Sequence, residues 1–200
     1  VLHGVYPEAT AQLKLDQGVD RNTNFTDIDL RTTLVPQEPE VFSASIRENI
    51  TLSLAYTDEQ IMRAAQTAEF AGVIEQLPRG LDSVINEKGV NLSGGQKQRL
   101  ALTRALLFAA DKDIILLDES TSSVDPENES KIYQNIFAVF TDQTIIASIH
   151  KMNLLKHFDR IVMFADGKIT DQGTFADLLE RNDKFARDWE DYIAHGGTDV

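Results

Sequence analysis

Four consecutive apolar residues, Ile114-Ile115-Leu116-Leu117, run without interruption into two adjacent acids, Asp118 and Glu119. An unalternated apolar run is the pattern of a strand covered on both faces, and such strands belong to parallel sheets flanked by helices. A second strand is predicted over residues 144–148 and a short β-branched one over 33–35, ending at Pro36. Helical patterns separate them, so the fold class is α/β. In open sheets of this class ligands bind beyond the carboxyl ends of the strands, which is where the two acids fall. One acid there can hold Mg²⁺, and the other can orient or deprotonate an attacking water. Taken alone, the pair also reads as a solvated loop.

The rest of the chain fits the same class. Residues 1–3 read as a helix end with Gly4 as its left-handed stop, and 12–16 alternate as a strand. Residues 45–76 read as a run of helices without a strand, with Thr57 and Gln60 as a capping box. Residues 93–107 form an amphipathic helix, with Leu100, Ala101, Ala105 and Leu106 on one side. Asp125 caps a helix that opens with Pro126. Residues 160–164 and 168–171 flank an Asp166-Gly167 turn and read as a hairpin, and 174–180 and 184–193 read as closing helices.

Of 200 residues, 42% are hydrophobic, enough for a real core. The net charge of −13 and a pI near 4.6 argue against non-specific binding to nucleic acid or an anionic membrane surface. Cysteine is absent, which excludes disulfides and thiolate metal sites. No apolar run approaches the roughly 20 residues of a membrane span. Residues 1–20 lack the pattern of a signal peptide, and the start of the chain reads as a cut from something longer.

Four further features could carry chemistry. The run Leu92-Ser93-Gly94-Gly95-Gln96, followed by Lys97-Gln98-Arg99, opens the amphipathic helix. Its glycines admit close approach to the backbone, its free N–H groups and helix dipole attract an anion, and Ser93 adds a hydroxyl donor. A merely capped helix is the alternative for the Ser-Gly-Gly part alone. Gln37 follows a strand at Val35-Pro36, where an amide could touch Mg²⁺ and a water. His150 follows the strand 144–148, and Glu87 precedes the glycine-rich helix start. Each of these three, by itself, reads as a loop or surface residue.

Taken in order, these elements resemble the ATPase domain of ABC transporters. Leu92 to Gln96 matches the family signature, and Asp118-Glu119 matches the Walker B acids. Ser122-Ser123-Val124-Asp125 is similar to the D-loop, Gln37 to the Q-loop glutamine and His150 to the switch histidine. The run from Val35 through Phe42 to Ile50, and Glu87 ahead of Gly89-Val90-Asn91-Leu92, resemble the exporter branch. Ser123-Val124 stands where Ala-Leu is usual, Lys151 where Arg is common, and Ile85-Asn86 where Val-Gly is usual. The implied fold is a P-loop NTPase core with an inserted helical subdomain. The implied divisions are 1–37 as the remainder of the N-terminal core, 38–100 as the helical subdomain with the signature, 101–181 as the rest of the core, and 182–200 as a closing helix and tail.

The resemblance implies ATP and Mg²⁺ as ligands. Asp118 would hold the metal with Gln37, Glu119 would polarise the water, and His150 would contact the γ-phosphate. Ser93, Gly94, Gly95 and Gln96 would grip the ATP of a second ATPase domain in a head-to-tail dimer, with Asp125 reaching across and Glu87 coupling to a membrane domain upstream on the same polypeptide. The implied setting is the cytoplasmic face of a membrane, with no nucleic acid involved. No lysine here is followed by Ser or Thr, so G-x-x-x-x-G-K-[ST] does not occur in these 200 residues. The resemblance places that loop, with the first strands, upstream of Val1, and the chain alone is expected to be inactive. A membrane-independent ABC ATPase and a non-catalytic module are the alternatives. The exporter-like runs speak against the first, and the intact Glu119, His150 and signature against the second.

Overall fold

The computed structural model describes residues 25–85 and 92–195. The helix end at 1–4, the strand at 12–16 and Glu87 lie outside the described residues. The chain divides into two compact units, 1–148 and 149–200.

The first unit is built on a parallel sheet of three strands, β1 (Thr32–Val35), β2 (Ile114–Asp118) and β3 (Thr144–Ser148), with β2 in the middle. The register sets Val35 beside Leu117 and Asp118 beside Ser148. The carboxyl ends of all three strands therefore lie along one edge. Thr33, Val35, Ile115 and Leu117 share one buried face of this sheet. Ile114 and Leu116, on the other face, are only half-buried. The apolar run of β2 thus marks a fully covered strand on one face and a partly covered one on the other. β3 is more open still, with Ile146 exposed at the sheet's edge among the described strands.

Among the described residues between β1 and β2 the regular elements are helical, as the pattern of residues 45–76 predicts, apart from one isolated bridge between Ser45 and Val84. The α-helices are α2 (Ile46–Thr51), α3 (Asp58–Thr67), α4 (Ala71–Gln76) and the 15-residue α5 (Gly94–Phe108). Ser45 and Glu48 close a capping box on α2, and Thr57 and Gln60 do so on α3. Each satisfies two N–H groups that a helix start otherwise leaves without partners. α5 departs from the one-sided helix expected of it. Leu102, Thr103 and Leu107 are buried along with Leu100, Ala101, Ala105 and Leu106, because α5 packs on α2 and α3 and also on β1. A short helix preceding β1, α1 (Phe25–Leu30), has too few residues for a period to emerge from sequence. α6 (Pro126–Val139) connects β2 to β3, capped by Asp125 with Pro126 in its first turn.

The second unit holds α7 (Met152–Leu155), the antiparallel hairpin β4 (Ile161–Ala165) and β5 (Lys168–Gly173), then α8 (Phe175–Arg181) and α9 (Asp183–Ala194). Asp166 and Gly167 both take positive φ, 50° and 73°. A two-residue turn needs that geometry to match the right-handed twist of its strands. Ile161, Leu178 and Phe185 form this unit's core, with Phe175 edge-on to Phe185 and Trp189.

Candidate functional site

The sheet edge gathers three of the candidate residues. Gln37 lies two positions beyond the end of β1, and Asp118 is the last residue of β2. Glu119 follows immediately with φ of 44°. That left-handed turn is unfavourable for a residue with a Cβ, and it swings the carboxylate off the strand direction. The Gln37 side chain donates from Nε2 to Oε2 of Glu119 at 2.8 Å. The two loops that sequence analysis could place only at separate strand ends are therefore joined by their candidate side chains. Asp118 is exposed beside them. Among the described residues no cluster of three or more His, Cys, Asp or Glu has the makings of a metal cage. Mg²⁺ is bound by one or two carboxylates together with phosphates and water, so the exposed oxygen donors of Asp118 and Gln37 fit that ion.

The helix start at Ser93 is a separate feature, and Gln37, Asp118 and Glu119 are not among the residues lining its cavity. The Ser93 hydroxyl accepts from Gln96 N–H at 3.2 Å, and the Gln96 Oε1 accepts from Ser93 N–H at 2.8 Å. Gln96 thus commits its amide oxygen to its own helix, while the Ser93 hydroxyl proton remains available as a donor. A cavity of about 400 Å³ opens here, lined by Ser93, Gly94, Gly95, Arg99, Ser123 and Asp125. A Cβ built on Gly95 would stand 2.7 Å from the Ser123 carbonyl oxygen. The glycine therefore allows the loop 122–125 to lie against the helix start. One on Gly94 would stay 3.7 Å from its nearest neighbour, Ser123 Cβ. Asp125 accepts from both the side chain and the backbone N–H of Asn128. Those bonds favour its ionised form and hold its carboxyl below the ordinary aspartate range.

His150, in the second unit, is exposed in the segment between β3 and α7. His157 has its imidazole pushed down from the ordinary value by burial, and by the neighbouring Lys156 charge.

Two polar residues matter to the site without having stood out in the sequence. Gln98 is only 5% exposed. Its Oε1 accepts from Ser123 N–H at 2.7 Å, and its Nε2 donates to the Ser122 hydroxyl at 2.9 Å. Its signal was there to find. Gln98 lies three, four and seven residues before Ala101, Leu102 and Ala105, so it is a polar residue in an apolar stripe. Glu129 is buried in α6 and accepts from the Thr121 hydroxyl at 2.7 Å. The phenol of Tyr133, beside it, is pushed up to about 12, by desolvation first and by the Glu129 charge, against the lowering effect of hydrogen bonds with Thr121 and Ser120.

A parallel sheet with acids at its carboxyl edge, together with a glycine-rich helix start, is an arrangement in which α/β proteins can place phosphate ligands. Comparison with known proteins narrows this class. Residues 1–122 match the family described as ABC transporter, and the chain belongs to that family. It is 35% identical over 184 residues to the ATP-dependent lipid A-core flippase of Vibrio cholerae serotype O1, an alignment covering 91% of this chain and 31% of the flippase. It is 42% identical over 155 residues to the pediocin PA-1 transport/processing ATP-binding protein PedD of Pediococcus acidilactici, covering 76% of this chain and 21% of that protein. Among solved structures it is similar to a bacterial Atm1-family ABC exporter with ATP bound, with a TM-score of 0.75 and 32% identity, covering 84% of this chain and 29% of the exporter. The chain thus spans less than a third of the length of each of these relatives.

Proposed function

We propose that this chain is the larger part of the ATP-hydrolysing domain of an ABC exporter, with the site residues in the roles their positions suit. The observation that carries this reading is the Gln37–Glu119 hydrogen bond at the sheet edge. It orients a carboxylate that can accept a proton from an attacking water. Mg²⁺, when bound, neutralises phosphate charge. Asp118 and Gln37 would hold it, Glu119 would orient and deprotonate the water, and His150 would donate to the terminal phosphate. Ser93, Gly94, Gly95 and Gln96 present hydroxyl and backbone donors to the nucleotide of a second ATPase domain in a head-to-tail pair. Asp125 reaches toward that partner. Phosphoryl transfer is accelerated mainly by such positioning and charge stabilisation.

Residues 38–100 serve as the helical subdomain, set between core segments 1–37 and 101–181, with 182–200 as a closing element. Residues 41–50 and Glu87 meet the membrane domain, which is carried upstream on the same polypeptide. The ATPase domain works at the cytoplasmic face of the membrane. No helix among the described residues is long and apolar enough to cross a membrane. The chain by itself, without a G-x-x-x-x-G-K-[ST] loop, does not turn over ATP.

The test is Glu119→Gln in the complete polypeptide. Hydrolysis falls by roughly 10²–10⁴-fold, the worth of a positioned acid–base group, while ATP binding persists because no phosphate donor is lost. Near-normal turnover in this variant would place the base elsewhere.

A further inference from the structure

We propose that Gln98 is a positioning residue for ATP hydrolysis: it closes a hydrogen-bonded ring that holds the Glu119 carboxylate and the loop 122–125 in fixed relation. This rests on the ATPase reading above. The ring can be followed atom by atom. Gln37 Nε2 donates to the Glu119 carboxylate at 2.8 Å. The Glu119 carbonyl accepts from Ser122 N–H at 3.1 Å. The Ser122 hydroxyl accepts from Gln98 Nε2 at 2.9 Å. The same Nε2 reaches back to the Gln37 carbonyl, a long contact at 3.5 Å.

The orientation of the Gln98 amide follows from its partners. Ser123 N–H can only donate and the Gln37 carbonyl can only accept, so Oε1 must face the first and Nε2 the second. Burial leaves no water to replace either partner. The loop is held from two sides, since Gln98 takes the Ser123 N–H while Gly95 lets the Ser123 carbonyl lie against α5. Glu119 sits at positive φ, so the direction of its side chain depends on the turn that Ser122 closes. Only an amide serves all these contacts. A carboxylate would set oxygen against the Gln37 carbonyl, and an aliphatic chain would make none of them.

The experiment uses the complete, membrane-embedded polypeptide. Gln98→Met removes every hydrogen bond at nearly constant length. Gln98→Glu keeps the acceptor for Ser123 N–H and removes only the Nε2 donor. Both variants are expected to lose about 10- to 100-fold in kcat, the scale of a misplaced reacting group, with KM for ATP within about twofold of wild type. In a Glu119→Gln background, Gln98→Met is expected to add no further loss, because groups that act as one unit are not additive. A purely structural role would instead lower the folded yield and leave kcat of the folded fraction intact. Wild-type kcat in a folded Gln98 variant, or additive losses in the double variant, overturns the proposal, as does failure of both variants to fold. If the wild-type polypeptide hydrolyses no ATP, the ATPase reading falls first and the proposal with it. Normal wild-type turnover, abolished by Glu119→Gln yet untouched by either Gln98 variant, refutes the positioning role alone.

Discussion

The two glycines of the helix start are chemically alike, yet the structure predicts opposite responses to a methyl group. At Gly95 an added Cβ would stand 2.7 Å from the Ser123 carbonyl oxygen, with the Ser123 carbonyl carbon and the Val124 Cα close behind at 3.5 and 3.6 Å. These are backbone atoms, so no rotamer change relieves the clash. The loop must retreat by roughly 0.5 Å or more to restore ordinary contact, which strains the 2.7 Å bond from Ser123 N–H to Gln98. Overpacking of this kind costs about 1–3 kcal/mol. A weakened buried hydrogen bond adds about 1 kcal/mol, and alanine's better helix propensity returns at most about 1 kcal/mol. The net for Gly95→Ala is a destabilisation of about 1–3 kcal/mol, a fall in melting temperature of roughly 2–10 °C for a domain of this size. At Gly94 the nearest atoms are Ser123 Cβ at 3.7 Å and Oγ at 3.8 Å, an ordinary contact. Gly94→Ala is therefore neutral or stabilising by a few tenths of a kcal/mol. Thermal melting of both variants in the complete nucleotide-binding domain checks this. A Gly95→Ala variant as stable as wild type, or two variants that behave alike, would refute the close packing of helix start and loop.

Arg104→Lys should cost about 1–3 kcal/mol in urea unfolding. Arg104 donates from Nε to the Asn49 carbonyl at 2.7 Å and from Nη2 to the Glu40 carbonyl at 2.9 Å, and lies 5.3 Å from the Phe42 ring centroid, a geometry that an ammonium group cannot reproduce. Tyr133 predicts an alkaline limit. Its folded pKa is raised from 10.0 to about 12, so its contribution to stability is full below pH 10 and is lost as the pH rises from there toward 12. Urea midpoints at pH 9 and pH 11 should therefore fall less in Tyr133→Phe than in wild type.

Local chemistry was legible wherever a few adjacent residues set it. The capping box at Thr57, the Asp125-Pro126 helix start and the Asp166-Gly167 turn each depend on neighbours within four positions, and each stands where its sequence pattern places it. The parallel strand read over Ile114–Leu117 was legible for the same reason, since a short apolar run bounded by charge has few other uses, and the structure extends it by one residue to Asp118. The ordered set of motifs likewise identified the ABC transporter family. What the sequence could not supply were relations across distance. Gln37 and Glu119 are 82 positions apart, and only the parallel pairing of β1 with β2 brings their side chains together. Gln98 looked like one more polar residue after a glycine-rich start, because its Ser122 and Ser123 partners lie on a different loop. α5 read as a one-sided helix, because the periodicity within it does not record how many neighbours will cover it. Helix caps and turns are closed by bonds a few residues long, so the sequence determines them alone. Buried polar groups find their partners through the sheet register and the packing of α5, and these are decided only when the whole unit folds.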